Sequence, residues 1–198
     1  MYEIELKAHV QDRKSLLKTL SGFAEYSGTV RREDTYYAIE ASGRKISARI
    51  RQESKADTGE IELENPVQPK ILLTYKRKEL KTGNKGVRTE VNDEKECSLS
   101  SREALECLLL DTGYRISHTK VKTVIDFKFE NATIEVCTVE KLGDFIEIEI
   151  LSPSDDAETV AGFQQQLRAI LARCGISESE IEERYYSDML RELESETD

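Results

Sequence analysis

The chain has 198 residues, of which 38% are hydrophobic and 34% charged, and its formal net charge is −10. This length suits one domain, the acidic balance argues against a nucleic-acid-binding surface, and no apolar run approaches the ~20 residues that span a bilayer. Four scattered cysteines without a C-x-x-C pair, and only two histidines, argue against a zinc centre and read as reduced thiols in a cytoplasmic protein. A strand pattern at the very start predicts that no signal peptide is present.

Residues 2–10 read as a strand, with Ile4, Leu6 and Ala8 on one face and Glu3, Glu5 and Lys7 on the other. Asp12 is placed to cap a helix running to about Tyr26, with Leu16, Leu17, Leu20 and Phe23 at helical spacing. Strands follow at 29–39 and 45–52, around a Ser42-Gly43-Arg44 turn. Residues 53–69 read as a loop with a short edge strand at 60–64. A strand at 71–80 and its return at 87–91 flank a hairpin turn at 82–86. Ser100-x-x-Glu103 has capping-box spacing for a helix with Leu105, Leu108 and Leu109 that stops near Gly113. Strand patterns recur at 115–124, 125–130, 133–139 and 145–151, with turns at Asn131 and at 141–144. An amphipathic helix then runs to Gly175, and Ser177-x-x-Glu180 is placed to cap a last helix. Residues 177–198 carry nine acidic and two basic side chains, and the apolar periodicity of that segment predicts an acidic C-terminal helix packed on the rest.

The expected architecture is α+β. It is a single domain over 1–198, built as a closed or nearly closed antiparallel eight-stranded β-barrel with peripheral helices. Charges of both signs repeat at i, i+2 along these strands, which predicts an ionic interior with the apolar faces turned outward under the helices. The basic inward set is Lys7, Arg49, Arg51, Lys76, Arg88, Lys120 and Lys122, and the acidic set is Glu3, Glu5, Glu90, Glu147 and Glu149. Cross-strand salt bridges are one use for such charges. The collection as a whole suits a metal-bound triphosphate better: converging cations repel unless a polyanion lies among them, and paired carboxylates repel unless a hard cation bridges them. There is no P-loop and no G-x-G-x-x-G, so phosphate is not expected at a helix N-terminus.

Glu3-x-Glu5-x-Lys7 resembles the signature of the CYTH superfamily, the triphosphate tunnel metalloenzymes. The resemblance extends in order through Asp34-x-Tyr36-Tyr37, Arg49-Ile50-Arg51, Leu73-Thr74-Tyr75-Lys76, Arg88-x-Glu90, Lys120-x-Lys122 and the segment from Leu142 to Glu149. It implies an eight-stranded tunnel in which Glu3, Glu5, Glu147 and Glu149 bind Mg²⁺ or Mn²⁺. Lys7, Arg49, Arg51, Lys76, Arg88, Lys120 and Lys122 would bind substrate, and Glu3, Glu5, Lys7 and Lys76 are the catalytic candidates. The implied activity is class IV adenylyl cyclase-like, converting ATP to cyclic AMP and pyrophosphate. The alternative is a triphosphatase acting on tripolyphosphate, thiamine triphosphate or a nucleoside triphosphate, and a third reading is a triphosphate-binding module without turnover. The partner is a triphosphate-containing small molecule, ATP or tripolyphosphate, with no nucleic acid and no membrane, and a homodimer is left open. Three departures stand out. No His-Phe pair precedes Glu3, Lys122 stands where the family often has Arg, and Cys137 stands where it usually has an acidic residue.

Overall fold

The computed structural model describes residues 2–41, 43–56, 69–82 and 88–195, with the backbone alone at 44, 45, 76–82 and 88–94. In chain order the elements are β1 (Tyr2–His9), α1 (Arg13–Leu20), β2 (Glu25–Ala41), β3 (Arg44–Lys55), β4 (Lys70–Thr82), β5 (Arg88–Leu99), α2 (Glu103–Asp111), β6 (Arg115–Phe129), β7 (Ala132–Val139), β8 (Gly143–Ser152), α3 (Ala157–Arg173), a 3-10 turn (Glu178–Glu180) and α4 (Tyr186–Ser195). The protein is α+β, with eight antiparallel strands and four helices among the described residues.

The period-two pattern of β1 becomes a division between two environments. Ile4, Leu6 and Ala8 are buried, while Glu3, Glu5 and Lys7 are half-buried on the opposite face. The strands pair in the order β1-β5-β4-β3-β2-β6-β7-β8, and β1 also pairs with β8, so the pairings form a ring. The β1–β8 seam runs over eight residue pairs, from Tyr2↔Ser152 to His9↔Phe145, and the β1–β5 seam over four.

The main apolar core lies outside this ring. Ile4, Leu6 and Ala8 of β1, Ile134 and Val136 of β7, and Ile146, Ile148 and Ile150 of β8 pack beneath Leu16 and Leu20 of α1 and Val160, Leu167, Ile170 and Leu171 of α3. Burying each of the larger side chains contributes about 1.5–3 kcal/mol, so the two helices hold the outer faces of three adjacent strands. On another side Leu109 and Leu105 of α2 pack with Tyr37 and Ile50. Helix α4 sets Met189 and Tyr186 against Val124, Cys137, Val139 and Phe145.

Several sequence expectations shift. Helix α1 ends at Leu20, with Ser21 as its C-cap, and does not reach Tyr26. Phe23 packs edge-on against Phe129 at 5.0 Å, and Tyr26 joins β2 opposite Phe127. Phe23 stands at helical spacing, yet it and Tyr26 meet Phe129 and Phe127 of β6, a long-range contact that local spacing does not record. Strand β2 is therefore long, 17 residues, with a bulge at Gly28 whose φ of 153° suits glycine. Residues 115–129 form one strand where two adjoining patterns were expected. The Ser100/Glu103 capping box does not form: the helix starts after Arg102, and Ser101 Oγ accepts from the Glu103 N–H. Ser177 caps only the 3-10 turn, and α4 begins at Tyr186. The expected edge strand at 60–64 and most of the 82–86 turn fall outside the described residues.

Candidate functional site

The inward faces of the ring enclose a cavity of about 630 Å³. Glu3, Glu5 and Lys7 line it from β1, and Glu147 and Glu149 from β8. Arg49 and Arg51 of β3 and Lys120 and Lys122 of β6 complete the set of sequence-predicted residues whose side chains are described. Lys76 lies in β4, and Arg88 and Glu90 lie in β5, but their side chains are outside the described residues. Strand register explains the convergence: Glu5 is opposite Glu149 and Lys7 opposite Glu147 across the β1–β8 seam.

Two ionic groups organise this interior. The first is centred on Asp34, which β2 places opposite both Arg51 and Lys120. Arg51 donates from Nε to Asp34 Oδ1 (2.7 Å) and from Nη2 to Oδ2 (3.0 Å), a bidentate fork. Lys120 Nζ lies 3.3 Å and Arg49 Nη1 4.0 Å from Asp34 Oδ2. Burial works to raise the Asp34 carboxyl, and Lys120, Arg51 and Arg49 overcome it, holding the group well below the usual carboxylate range. Arg49 also donates to Thr74 Oγ1 (2.9 Å). Asp34 thus gathers three cations around it, and Arg51 Nη1 also lies 4.0 Å from Glu53 Oε1.

The second group is centred on Lys122, whose side chain is 3% exposed. Its ammonium donates to Glu135 Oε2 (2.9 Å) and Glu147 Oε2 (2.7 Å), and lies 3.6 Å from Cys137 Sγ. Burial alone would lower the Lys122 ammonium, and Cys137, Glu135 and Glu147 hold it well above its ordinary value. Burial also opposes ionisation of Glu147, yet Lys122 brings that carboxyl down to about 2. Arg32 backs this group, donating to Glu135 Oε1 (2.6 Å) and to Glu53 Oε1 (2.8 Å).

The residues present fit a divalent cation. Glu147 lies beside the other β1 and β8 glutamates, its Oε1 is buried without a completed hydrogen bond, and the Tyr186 hydroxyl acts on the same carboxylate. The C-terminal segment closes over the same region. Lys7 Nζ donates to the Arg184 carbonyl and sits 4.3 Å from the centre of the Tyr186 ring, and Lys120 Nζ lies 5.0 Å from that centre. The Tyr186 hydroxyl is buried without completing a hydrogen bond; burial, Glu147 and Cys137 push it well above its ordinary value.

Sequence reasoning quoted Asp34 only as part of a motif and did not place Arg32, Glu135 or Tyr186 in the site. The i, i+2 spacing of Arg32 with Asp34, and of Glu135 with Cys137, was the available signal. Of the three tyrosines in the motifs at 34–37 and 73–76, Tyr37 is fully buried under α2, whereas Tyr36 and Tyr75 line the cavity. Tyr36 stacks on His118 at 4.2 Å and 12°.

The CYTH domain family matches residues 1–186, and the chain belongs to that family. Solved structures share the fold. PH1819 of Pyrococcus horikoshii OT3 is 26% identical, with a TM-score of 0.75, over 96% of this chain and 99% of that one. A candidate adenylate cyclase from Vibrio parahaemolyticus is 18% identical, with a TM-score of 0.70, over 96% and 98%. HpAC1 from Hippeastrum, a candidate adenylyl cyclase with a dominant triphosphatase activity, is 17% identical, with a TM-score of 0.59, over 96% and 95%. No match was found among curated proteins. No described helix is long and apolar enough to cross a membrane.

Proposed function

We propose that the chain is a metal-dependent triphosphate-processing enzyme of the adenylyl cyclase-like kind, converting ATP to cyclic AMP and pyrophosphate with the ring of strands acting as a tunnel. The observation that carries this reading is the opposition of two walls in one cavity. Arg49, Arg51 and Lys120 gather around Asp34 on one side, and Glu3, Glu5, Glu147 and Glu149 line the other. The cationic wall would grip phosphate oxygens, Arg51 and Arg49 through planar forks and Lys120 as a point charge. Asp34 fixes those cations in place before substrate arrives, so little reorganisation remains to be done during reaction. Lys7, held by the Arg184 carbonyl and the Tyr186 ring, would meet the phosphates from the β1 side.

A divalent cation, Mg²⁺ or Mn²⁺, held by Glu3, Glu5, Glu147 and Glu149 would supply further neutralisation of phosphate charge. The stacked Tyr36 and His118 rings, beside Lys120, offer a flat aromatic surface to a nucleobase. This favours ATP over inorganic tripolyphosphate. The ribose 3′-hydroxyl would attack the α-phosphate and pyrophosphate would leave. The second reading, a triphosphatase in which water attacks the terminal phosphate, is favoured by the activity named for the Hippeastrum protein.

One incubation series tests both. ATP, thiamine triphosphate and tripolyphosphate are each incubated with Mg²⁺ or Mn²⁺, and cyclic AMP, pyrophosphate and orthophosphate are measured. Cyclic AMP with pyrophosphate is expected. Orthophosphate from tripolyphosphate would transfer the assignment to the triphosphatase, and tight binding without any product would overturn both.

A further inference from the structure

Strand β6 carries an irregularity that an ionic site alone does not require. Alternate residues of a regular strand face one side, yet the consecutive Ser117 and His118 both line the cavity. Register explains this: His118 stands opposite Tyr36 and Ile116 opposite Tyr37, so Ser117 is the extra residue of a β-bulge, a device that re-aims side chains beside functional sites. We infer that Tyr36, Ser117 and His118 form a nucleobase subsite that sets a preference for a nucleoside triphosphate over bare tripolyphosphate. The inference deepens the reading above and rests on it for the triphosphate, but its test needs no turnover.

Three observations carry it. The first is that the His118 ring is held in a set orientation. Ser117 Oγ donates to the Tyr36 carbonyl (3.3 Å) and lies 3.0 Å from His118 Nδ1. A hydroxyl has one proton to give, so with that proton on the carbonyl, the neutral imidazole donates from Nδ1 to Ser117 Oγ. The Tyr36 ring stacks on the imidazole at 4.2 Å and 12°, which makes a two-ring platform. The second is the apolar lining beside it. Register sets Ala48 opposite Tyr37, and Arg49 opposite both Tyr36 and Thr74. Ile46 and Ala48 of β3 and Tyr75 of β4, which is 40% exposed, line the cavity there. Phosphate recognition gives these side chains no task, whereas a nucleobase is flat and stacks on aromatic rings.

The third is the order of residues along β6. Ser117 is exposed, His118 half-buried, and Lys120 and Lys122 buried, so the platform stands at the outer end of the cavity. His118 and Lys120 are two residues apart, about 7 Å along a strand, and Lys120 Nζ lies 5.8 Å from the centre of the Tyr36 ring. A base on the platform therefore has the nearest ammonium of the proposed phosphate-binding wall one strand step further in. Inorganic tripolyphosphate has no group to place on the rings.

The test measures equilibrium binding to the full chain by calorimetry, with Ca²⁺ in place of Mg²⁺, titrating ATP and tripolyphosphate separately. The wild type is expected to bind ATP roughly tenfold more tightly than tripolyphosphate, the order that one stacked base contributes. His118→Ala should lose that margin for ATP, leave tripolyphosphate affinity as in the wild type, and keep the far-ultraviolet circular dichroism. His118→Phe, which keeps a ring, should retain most of the margin. The triphosphate of 2-aminopurine riboside gives a direct readout: its fluorescence should be quenched on binding to the wild type, as stacking requires, and not on binding to His118→Ala. Equal losses for ATP and tripolyphosphate in His118→Ala would mean that the ring only props the cationic wall, and would overturn the inference. A wild type that binds the two ligands equally, or a His118→Phe variant as weak as His118→Ala, would overturn it as well. Base-dependent binding in a protein that forms no cyclic AMP would sink the proposed cyclase and leave the subsite standing, whereas cyclic AMP formation with ATP binding indifferent to His118→Ala would sink the subsite alone.

Discussion

The two ionic groups in the cavity are built on opposite plans. Around Asp34, one carboxylate answers three cations contributed by β3 and β6. Around Lys122, one ammonium answers two carboxylates and a thiol contributed by β7 and β8. Each is stable because the minority charge sits at the centre, within hydrogen-bond or ion-pair reach of the others. Further ion pairs support each centre, Glu53 beside Arg51 and Arg32 on Glu135. Buried ions are costly without partners, so each group holds its charges in mutual contact, and the proposed polyanion and its cation would each meet one of the two walls.

Removing either centre should break the comparison most severely. Asp34→Asn removes the carboxylate shared by Arg51, Lys120 and Arg49, and is expected to cost about 3–5 kcal/mol, read as a lower urea midpoint. On the acidic wall, Glu147→Gln or Glu5→Ala should keep the fold, judged by circular dichroism, and reduce metal-dependent turnover by about 10²-fold or more. Normal turnover in either variant would refute the assignment of the metal side.

Acid should separate the walls by a smaller margin. The Glu147 carboxyl is lowered from 4.5 to about 2, so its contribution to stability is complete above about pH 4.5 and is lost as pH falls toward 2. The stability difference between wild type and Glu147→Gln should therefore shrink between pH 5 and pH 3, measured by urea unfolding at each pH. The smallest effect is expected at Asp126, where burial and Glu135 raise the carboxyl to about 6. A raised carboxyl loses stability as pH rises through that value, so Asp126→Asn should match the wild type at pH 4 and gain up to about 1 kcal/mol at pH 7.

The alternation of Ile4, Leu6 and Ala8 with Glu3, Glu5 and Lys7 was legible because a strand writes its two faces into neighbouring residues. The charged staves around Arg49/Arg51, Lys120/Lys122 and Glu147/Glu149 were legible for the same reason. What could not be read was which charge meets which. The partners of Asp34 come from β3 and β6, and those of Lys122 from β7 and β8, through registers that depend on long-range pairing. Glu135 lies on the same strand face as Cys137, two residues earlier, and so supplies a carboxylate beside the position where the family usually has one. The end of α1 falls earlier than expected because Phe23, at helical spacing with Leu16 and Leu20, packs against β6, as does Tyr26.

The seam between β1 and β8 sets a condition on biosynthesis. A chain leaves the ribosome at roughly 5–20 residues per second, so β1 is exposed for several seconds before β8 follows it out. Throughout that interval Ile4, Leu6 and Ala8 lack the α3 side chains that cover them, and Glu5 lacks Glu149 opposite it. Pairing across such a sequence separation is intrinsically slow. Strand β1 is therefore among the last to find both neighbours, and the nascent chain offers an unsheltered β-edge to anything able to bind it.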